Sequence, residues 1–126
     1  MKGALLLSDD PQIFEKICAL LVSRGGECGG AVGERVAQVR VKGMLFNAFE
    51  GAELEDESIE PFFPEPGVPL PDRATVTGCD LECRSEEVFV ALVRDIAALS
   101  DAATWILDGN GTVWRAADVD PDRLQL

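Results

Sequence analysis

The stretch Ala4-Leu5-Leu6-Leu7-Ser8-Asp9-Asp10-Pro11 decides the architecture of this chain. A short, wholly apolar run that stops at polar residues predicts a central strand buried on both faces. Ser8-Asp9-Asp10-Pro11 then starts a helix. An Asp supplies the cap, and Pro11 fits the first turn, where its missing N–H costs nothing. Ile13, Phe14, Ile17, Leu20 and Leu21 recur at helical spacing, Arg24 sits in the last turn, and Gly25-Gly26 ends the helix. A buried strand feeding an amphipathic helix means a sheet with helices laid on it, and the rest of the chain follows that plan.

Residues 25–33 are glycine-rich and read as a loop. From Val36 to Val41 the sequence alternates, with Ala37, Val39 and Val41 on one face and Gln38, Arg40 and Lys42 on the other, which predicts a half-exposed strand. Gly43 marks a turn or bulge, and Met44 to Phe49 forms a further strand. Thr75 to Arg84 alternates again: Cys79, Leu81 and Cys83 face one way, Asp80, Glu82 and Arg84 the other. Ser85-Glu86-Glu87 caps a second helix with a hydroxyl and places carboxylates at the positive end of its dipole. Val88, Phe89, Leu92, Val93, Ile96 and Leu99 make its apolar stripe, and Ser100-Asp101 ends it. Trp105-Ile106-Leu107 and Thr112-Val113-Trp114 flank Asp108-Gly109-Asn110-Gly111, a hairpin signal. The element order predicts one α+β domain over 1–126: an antiparallel-rich sheet with two helices packed on one face, the ferredoxin-like arrangement being one form of it, and a long acidic loop over 50–72.

The acidic loop dominates the electrostatics. The chain has 23 acids and 11 bases, a net charge of −12. Glu50, Glu53, Glu55, Asp56, Glu57, Glu60, Glu65 and Asp72 supply −8 of that with no base among them. The same segment holds Phe62-Phe63 and most of the prolines, too many for a central strand. Such a charge disfavours nucleic acid and anionic membrane as partners and favours basic proteins. The longest apolar run, Ile17 to Val22, falls far short of the roughly 20 residues of a spanning helix. The apolar stretch after Met1 is too short for a signal peptide, so the sequence reads as cytoplasmic. The cysteines fit that reading, with Cys18, Cys79 and Cys83 as core residues and Cys28 in the glycine-rich loop.

Candidate chemistry is sparse. Asp108-Gly109-Asn110-Gly111-Thr112 has a calcium-loop look, but alignment on Gly111 puts Ile106 and Ala117 where oxygen ligands belong, and turn chemistry explains the stretch. Cys79 and Cys83 on a strand lie about 13 Å apart, too far to share a zinc. Asp118, Asp120 and Asp122 are interrupted by Pro121 and read as a solvated tail. The glycine-rich loop follows a helix and lacks the GK[ST] of a phosphate loop. With no His and no Tyr, acid-base and nucleophilic catalysis have few groups to use, and no carboxylate pair is singled out. These readings predict no enzyme, no metal and no cofactor.

What remains is the acidic strip, which reads either as a solvated loop with Phe62-Phe63 pinned to the core or as a docking surface. On the docking reading, the carboxylates Glu53, Glu55, Asp56, Glu57 and Glu60 would steer and pair with Arg or Lys, and Phe62 and Phe63 would anchor. In size, acidity and the run Trp105-Ile106-Leu107-Asp108-Gly109-Asn110-Gly111-Thr112-Val113-Trp114 with Asp118-Val119-Asp120-Pro121, the chain resembles the small acidic cytoplasmic immunity proteins encoded beside bacterial polymorphic toxins. The resemblance implies a binder that blocks a basic cognate toxin domain one to one. The competing expectation is a regulatory or scaffold domain that binds another protein or dimerises.

Overall fold

The apolar run Ala4–Leu7 lies at the heart of the sheet. The computed structural model describes residues 3–51, 63–64, 67–69, 71, 75–109, 111–124 and 126. In chain order the elements are β1 (Gly3–Ser8), α1 (Ile13–Ser23), β2 (Glu27–Gly29), β3 (Val36–Val41), β4 (Met44–Glu50), β5 (Phe63–Pro64), β6 (Thr77–Cys83), α2 (Glu86–Ala97), β7 (Thr104–Leu107), β8 (Thr112–Arg115) and a 3-10 turn, Ala116–Asp118. The strands form one sheet in the order β2-β3-β4-β6-β1-β7-β8-β5. Neighbours are antiparallel except for two-residue β5, which runs parallel to β8. The central order β7-β1-β6-β4, with α1 between β1 and the β3–β4 hairpin and α2 between β6 and β7, is that of two interleaved split β-α-β units.

Alternation along the strands sorts the side chains into two layers. On one face Leu6, Phe46, Ala48, Leu81, Ile106 and Trp114 share a core with Phe14, Ile17 and Leu21 of α1 and Phe89, Val93 and Ile96 of α2. Phe46 and Phe89 stack at 6.1 Å between ring centroids, tilted by 43°. The α+β architecture with both helices on one face is therefore as the sequence pattern predicts. The opposite face carries a smaller apolar cluster of Leu7, Trp105, Leu107 and Val113, against which Leu5, Val68 and Val76 pack. Trp105 Nε1 donates to Pro69 O at 3.1 Å and fastens that segment over the β1–β7 end.

Local signals hold in most places. Ser85 Oγ accepts from the Val88 N–H at 3.3 Å, the expected cap of α2. Lys42 and Gly43 both have positive φ, as a two-residue hairpin between paired Val41 and Met44 requires. Cys79 and Cys83 are buried on the helix face.

Four expectations need correction. First, α1 begins at Ile13, and Gln12 takes the N-cap position with no side-chain bond. Asp10 Oδ1 instead accepts from the Gln12 N–H at 2.9 Å, while Oδ2 accepts from Ser100 Oγ at 2.8 Å and pairs with Lys16. The carboxylate that reads as a helix cap ties α1 to the end of α2. Second, Leu99 lies beyond the last turn of α2 and is 40% exposed, whereas Val90 is buried. Third, the C-terminal stretch is not a solvated tail. Val119 and Leu124 are buried, Arg94 Nη2 donates to Val119 O at 2.9 Å, and Arg123 lies 5.1 Å over the Trp114 ring. Fourth, Cys18 is no simple core residue and Cys28 no free loop thiol, because the two are joined in a disulfide. The glycine-rich loop contains β2, whose pairing with β3 carries Cys28 back to α1, with 5.7 Å between the two Cα atoms.

By constraining the unfolded chain, a bridge closing so short a loop adds about 2–3 kcal/mol. Urea unfolding of Cys18→Ser should show that loss against the oxidised wild type, and reductant should produce the same loss in the wild type. Coincident unfolding curves would mean that the bridge adds no stability.

Candidate functional site

Glu53, Glu55, Asp56, Glu57, Glu60 and Phe62, six of the residues assigned to a docking surface, lie outside the described residues. The backbone of Phe63 is placed and pairs with Thr112 of β8. The acidic segment thus starts from β4 on one side of the sheet and reaches β5 at the far edge, with β6, β1, β7 and β8 between them.

Its first carboxylate is firmly held. Glu50 accepts from Arg35 Nε at 2.9 Å and from Nη2 at 2.6 Å, a bidentate pair, and from the Gly33 N–H at 2.7 Å. Arg35 also reaches Glu15 on α1 at 2.8 Å and lies 5.2 Å over the Phe14 ring. The side chains of Arg35 and Glu50 are only 18% and 17% exposed, so water screens the pair weakly. Glu50 belongs with the scaffold, and the Arg35 hydrogen bonds hold its pKa down to about 2.

The sheet face opposite the helices carries a second group of acids, which the alternation of β6 already turned outward: Asp80 and Glu82. Register surrounds them with specific neighbours. Phe49 and Leu5 pair with Asp80 on either side, and Asn47 and Gly3 pair with Glu82. Asp80 therefore interrupts an apolar row that runs Val36, Phe49, Leu5, Leu107 and Val113 across the strands. Partial burial between those neighbours raises the Asp80 pKa even though the residue is exposed overall. Glu82 Oε2 is sealed from solvent and has no hydrogen-bond partner. Above these residues is a depression of about 520 Å³, walled by Leu5, Phe49, Leu107 and the Asp108-Gly109 turn. A Cβ at Gly3 would come within 2.7 Å of the Leu81 carbonyl oxygen, so only glycine fits opposite Glu82.

Asp108 closes one end of the depression, and its job is structural. It is buried, its Oδ1 accepts from the Thr112 N–H at 3.0 Å, and its Oδ2 accepts from Trp114 Nε1 at 3.0 Å. The turn-chemistry reading of this stretch is the one the geometry supports. Among the described residues no group of three or more Cys, Asp or Glu side chains is placed to hold a metal ion. Likewise no described helix is long and apolar enough to cross a membrane. Sequence reasoning passed over Asp80 and Glu82 because their significance depends on Phe49 and Leu5, which only the strand register brings beside them. Comparison with family models, curated proteins and solved structures produced no match to this chain.

The Arg35–Glu50 pair has a pH signature. Because the folded-state pKa of Glu50 is depressed, its contribution is complete above the unfolded value of 4.5 and is lost as pH falls towards about 2. Asp10, held down to about 2 first by its bond from Lys16, loses its contribution in an overlapping window whether or not Arg35 is present. Arg35→Met should therefore destabilise the protein at pH 7, and the gap to wild type in urea midpoint should close as pH falls through that window. A gap of constant size would show that the pair does not contribute.

Proposed function

We propose that this chain is a toxin-neutralising immunity protein, a cytoplasmic binder that blocks a basic partner protein. The observation that supports this best is how the acidic segment is mounted. It leaves β4 at a carboxylate clamped by Arg35 and meets the sheet edge again within its length, where Phe63 and Pro64 pair with β8. Two anchored points lower the ordering cost of binding, and a concentrated negative field speeds encounter with a basic surface. Asp80 and Glu82 extend the same sign of charge onto the sheet face opposite the helices.

The proposed contact residues remain Glu53, Glu55, Asp56, Glu57, Glu60, Phe62 and Phe63, with the carboxylates steering and the rings anchoring. In a cytoplasmic setting Cys18 and Cys28 are kept as thiols, and the bridge between them forms on oxidation.

The test is co-expression with the C-terminal domain encoded by the neighbouring reading frame. The chain should relieve that domain's toxicity and purify with it one to one. Replacing Glu55, Asp56 and Glu57 together by Lys should weaken the complex about 10- to 100-fold and flatten its salt dependence, with thermal unfolding unchanged. Unchanged affinity in that variant would reject the proposed surface, and failure to bind or protect would reject the function.

A further inference from the structure

We propose that Cys18 and Cys28 are a thiol–disulfide switch, and that closing the bridge seats the loop over 29–34 against the root of the acidic segment. The inference goes beyond the binder reading, since it concerns how that segment is held and not what it binds.

The switch acts on a weakly held element. β2 is a three-residue strand at the edge of the sheet, all three of its side chains are exposed, and it pairs with β3. An element that buries no apolar side chain opens locally at low cost. Gly25, Gly26, Gly29, Gly30 and Gly33 surround it, and each glycine adds to the entropy that ordering removes. The firm point lies before the strand. The Gly26 N–H donates to Leu21 O at 2.8 Å, and a Cβ on Gly26 would come within 2.2 Å of Gln38 O. Beyond it, the covalent tie from Cys28 to Cys18 on α1 is what holds β2 to the helix layer.

What the loop touches gives the bridge its consequence. The Gly33 N–H donates to Glu50 Oε1 at 2.7 Å, and a Cβ on Gly51 would come within 2.6 Å of Gly33 O. Glu50 ends β4 and Gly51 follows it, so both contacts fall where the acidic segment departs. Arg35 holds Glu50 in either redox state. Its guanidinium pairs with the carboxylate and its carbonyl accepts from the Glu50 N–H at 2.9 Å, and neither bond involves β2. The Gly33 contacts instead depend on a loop that starts from β2. That loop is closed by a turn bond from the Glu34 N–H to Ala31 O at 2.9 Å, and its Val32 is 87% exposed, so it brings no apolar anchor of its own.

Access confines the chemistry to this pair. Cys28 is exposed and Cys18 half-buried. Cys79 and Cys83 are buried thiols whose pKa values burial pushes up, that of Cys79 to about 12. The thiolate is the attacking species, so these two stay out of the exchange. The oxidant is a small-molecule disulfide. The Cys28 thiolate attacks one of its sulfurs, forming a mixed disulfide and expelling a thiolate. The Cys18 thiolate then attacks Cys28 Sγ and expels the second. The small disulfide is reduced to two thiols, the cysteines are oxidised to one cystine, and the protons given up by Cys18 and Cys28 end on the leaving thiolates.

The experiment equilibrates the full chain with glutathione and glutathione disulfide and reads it by mass and by amide NMR. Each chain should consume one glutathione disulfide and release two glutathiones, with Cys79 and Cys83 left as thiols. Amide exchange at Gly33 and Glu34 should be about 10- to 100-fold slower in the bridged form. In the reduced form these two amides should exchange by local opening, at rates insensitive to low urea, while Leu6 of central β1 follows global unfolding. The Glu50 and Gly51 shifts should move between the two forms. Cys18→Ala, which stops at the mixed disulfide, should keep the reduced pattern in oxidising buffer. Equal exchange at Gly33 in both forms, or Glu50 and Gly51 shifts indifferent to the bridge, would overturn the proposal. So would a wild-type chain that stops at the mixed disulfide, or a Cys18→Ala variant with the bridged pattern. A urea dependence at Gly33 equal to that of Leu6 would reduce the bridge to a source of global stability and overturn it as well. No partner protein enters, so failure here leaves the co-expression test untouched, and failure there leaves the switch standing.

Discussion

The two-sided pairing of β1 is the constraint on which the rest of the structure depends. β1 bonds to β6 on one side and β7 on the other, joining the first residues of the chain to segments about 75 and 100 positions away. A strand enclosed in this way must be apolar on both faces, and Leu6 and Leu7 divide accordingly between the helix-side core and the opposite cluster. The crossovers follow. α1 has to carry the chain past the place that β6 will occupy, and α2 has to carry it past β1 itself. Both helices then lie on one face, and the other carries the smaller cluster of Leu7, Trp105, Leu107 and Val113.

Much of this was legible because local signals and burial agree. The apolar run at Ala4–Leu7, the alternation through Val36–Val41 and Cys79–Cys83, the Ser85 cap and the hairpin about Asp108 each have a pattern that reads in one way. The misreadings have a common cause, since each involves a residue whose partner is distant in sequence. Asp10 looks like a cap until Ser100 and Lys16 are brought to it. Cys28 looks like a loop thiol until β2 pairs with β3 and returns it to α1. The chain after Ala116 looks solvated because its aspartates outnumber its leucines, yet Val119 and Leu124 fill space beneath Trp114 and Arg94. Of the candidate site, the sequence shows the charge of the acidic segment and the outward direction of Asp80 and Glu82. It cannot show that Phe49 and Leu5 stand beside them.

The acidic surface therefore has two parts with different physics. In the segment that follows β4, carboxylates are concentrated in a sequence rich in proline, and their effect is a field that acts at a distance and weakens with salt. On the sheet face the carboxylates are few and set in an apolar frame, with Asp80 between Phe49 and Leu5. Glu50 belongs to neither part. Arg35 neutralises it and turns it into the hinge-post from which the charged segment departs.

The two tryptophans give the molecule separate optical voices. Trp114 is buried on the helix side with its indole N–H on Asp108, beside a stacked Arg123. Trp105 is on the opposite side, and its N–H is taken by the carbonyl of Pro69, next to Val68, which packs on that face. One ring therefore senses the packing of the helical layer, and the other senses whether the cover over the sheet is seated. Fluorescence from single-tryptophan forms can distinguish an event on the face opposite the helices from loss of the core, in a protein whose sheet separates the two environments by the thickness of one strand.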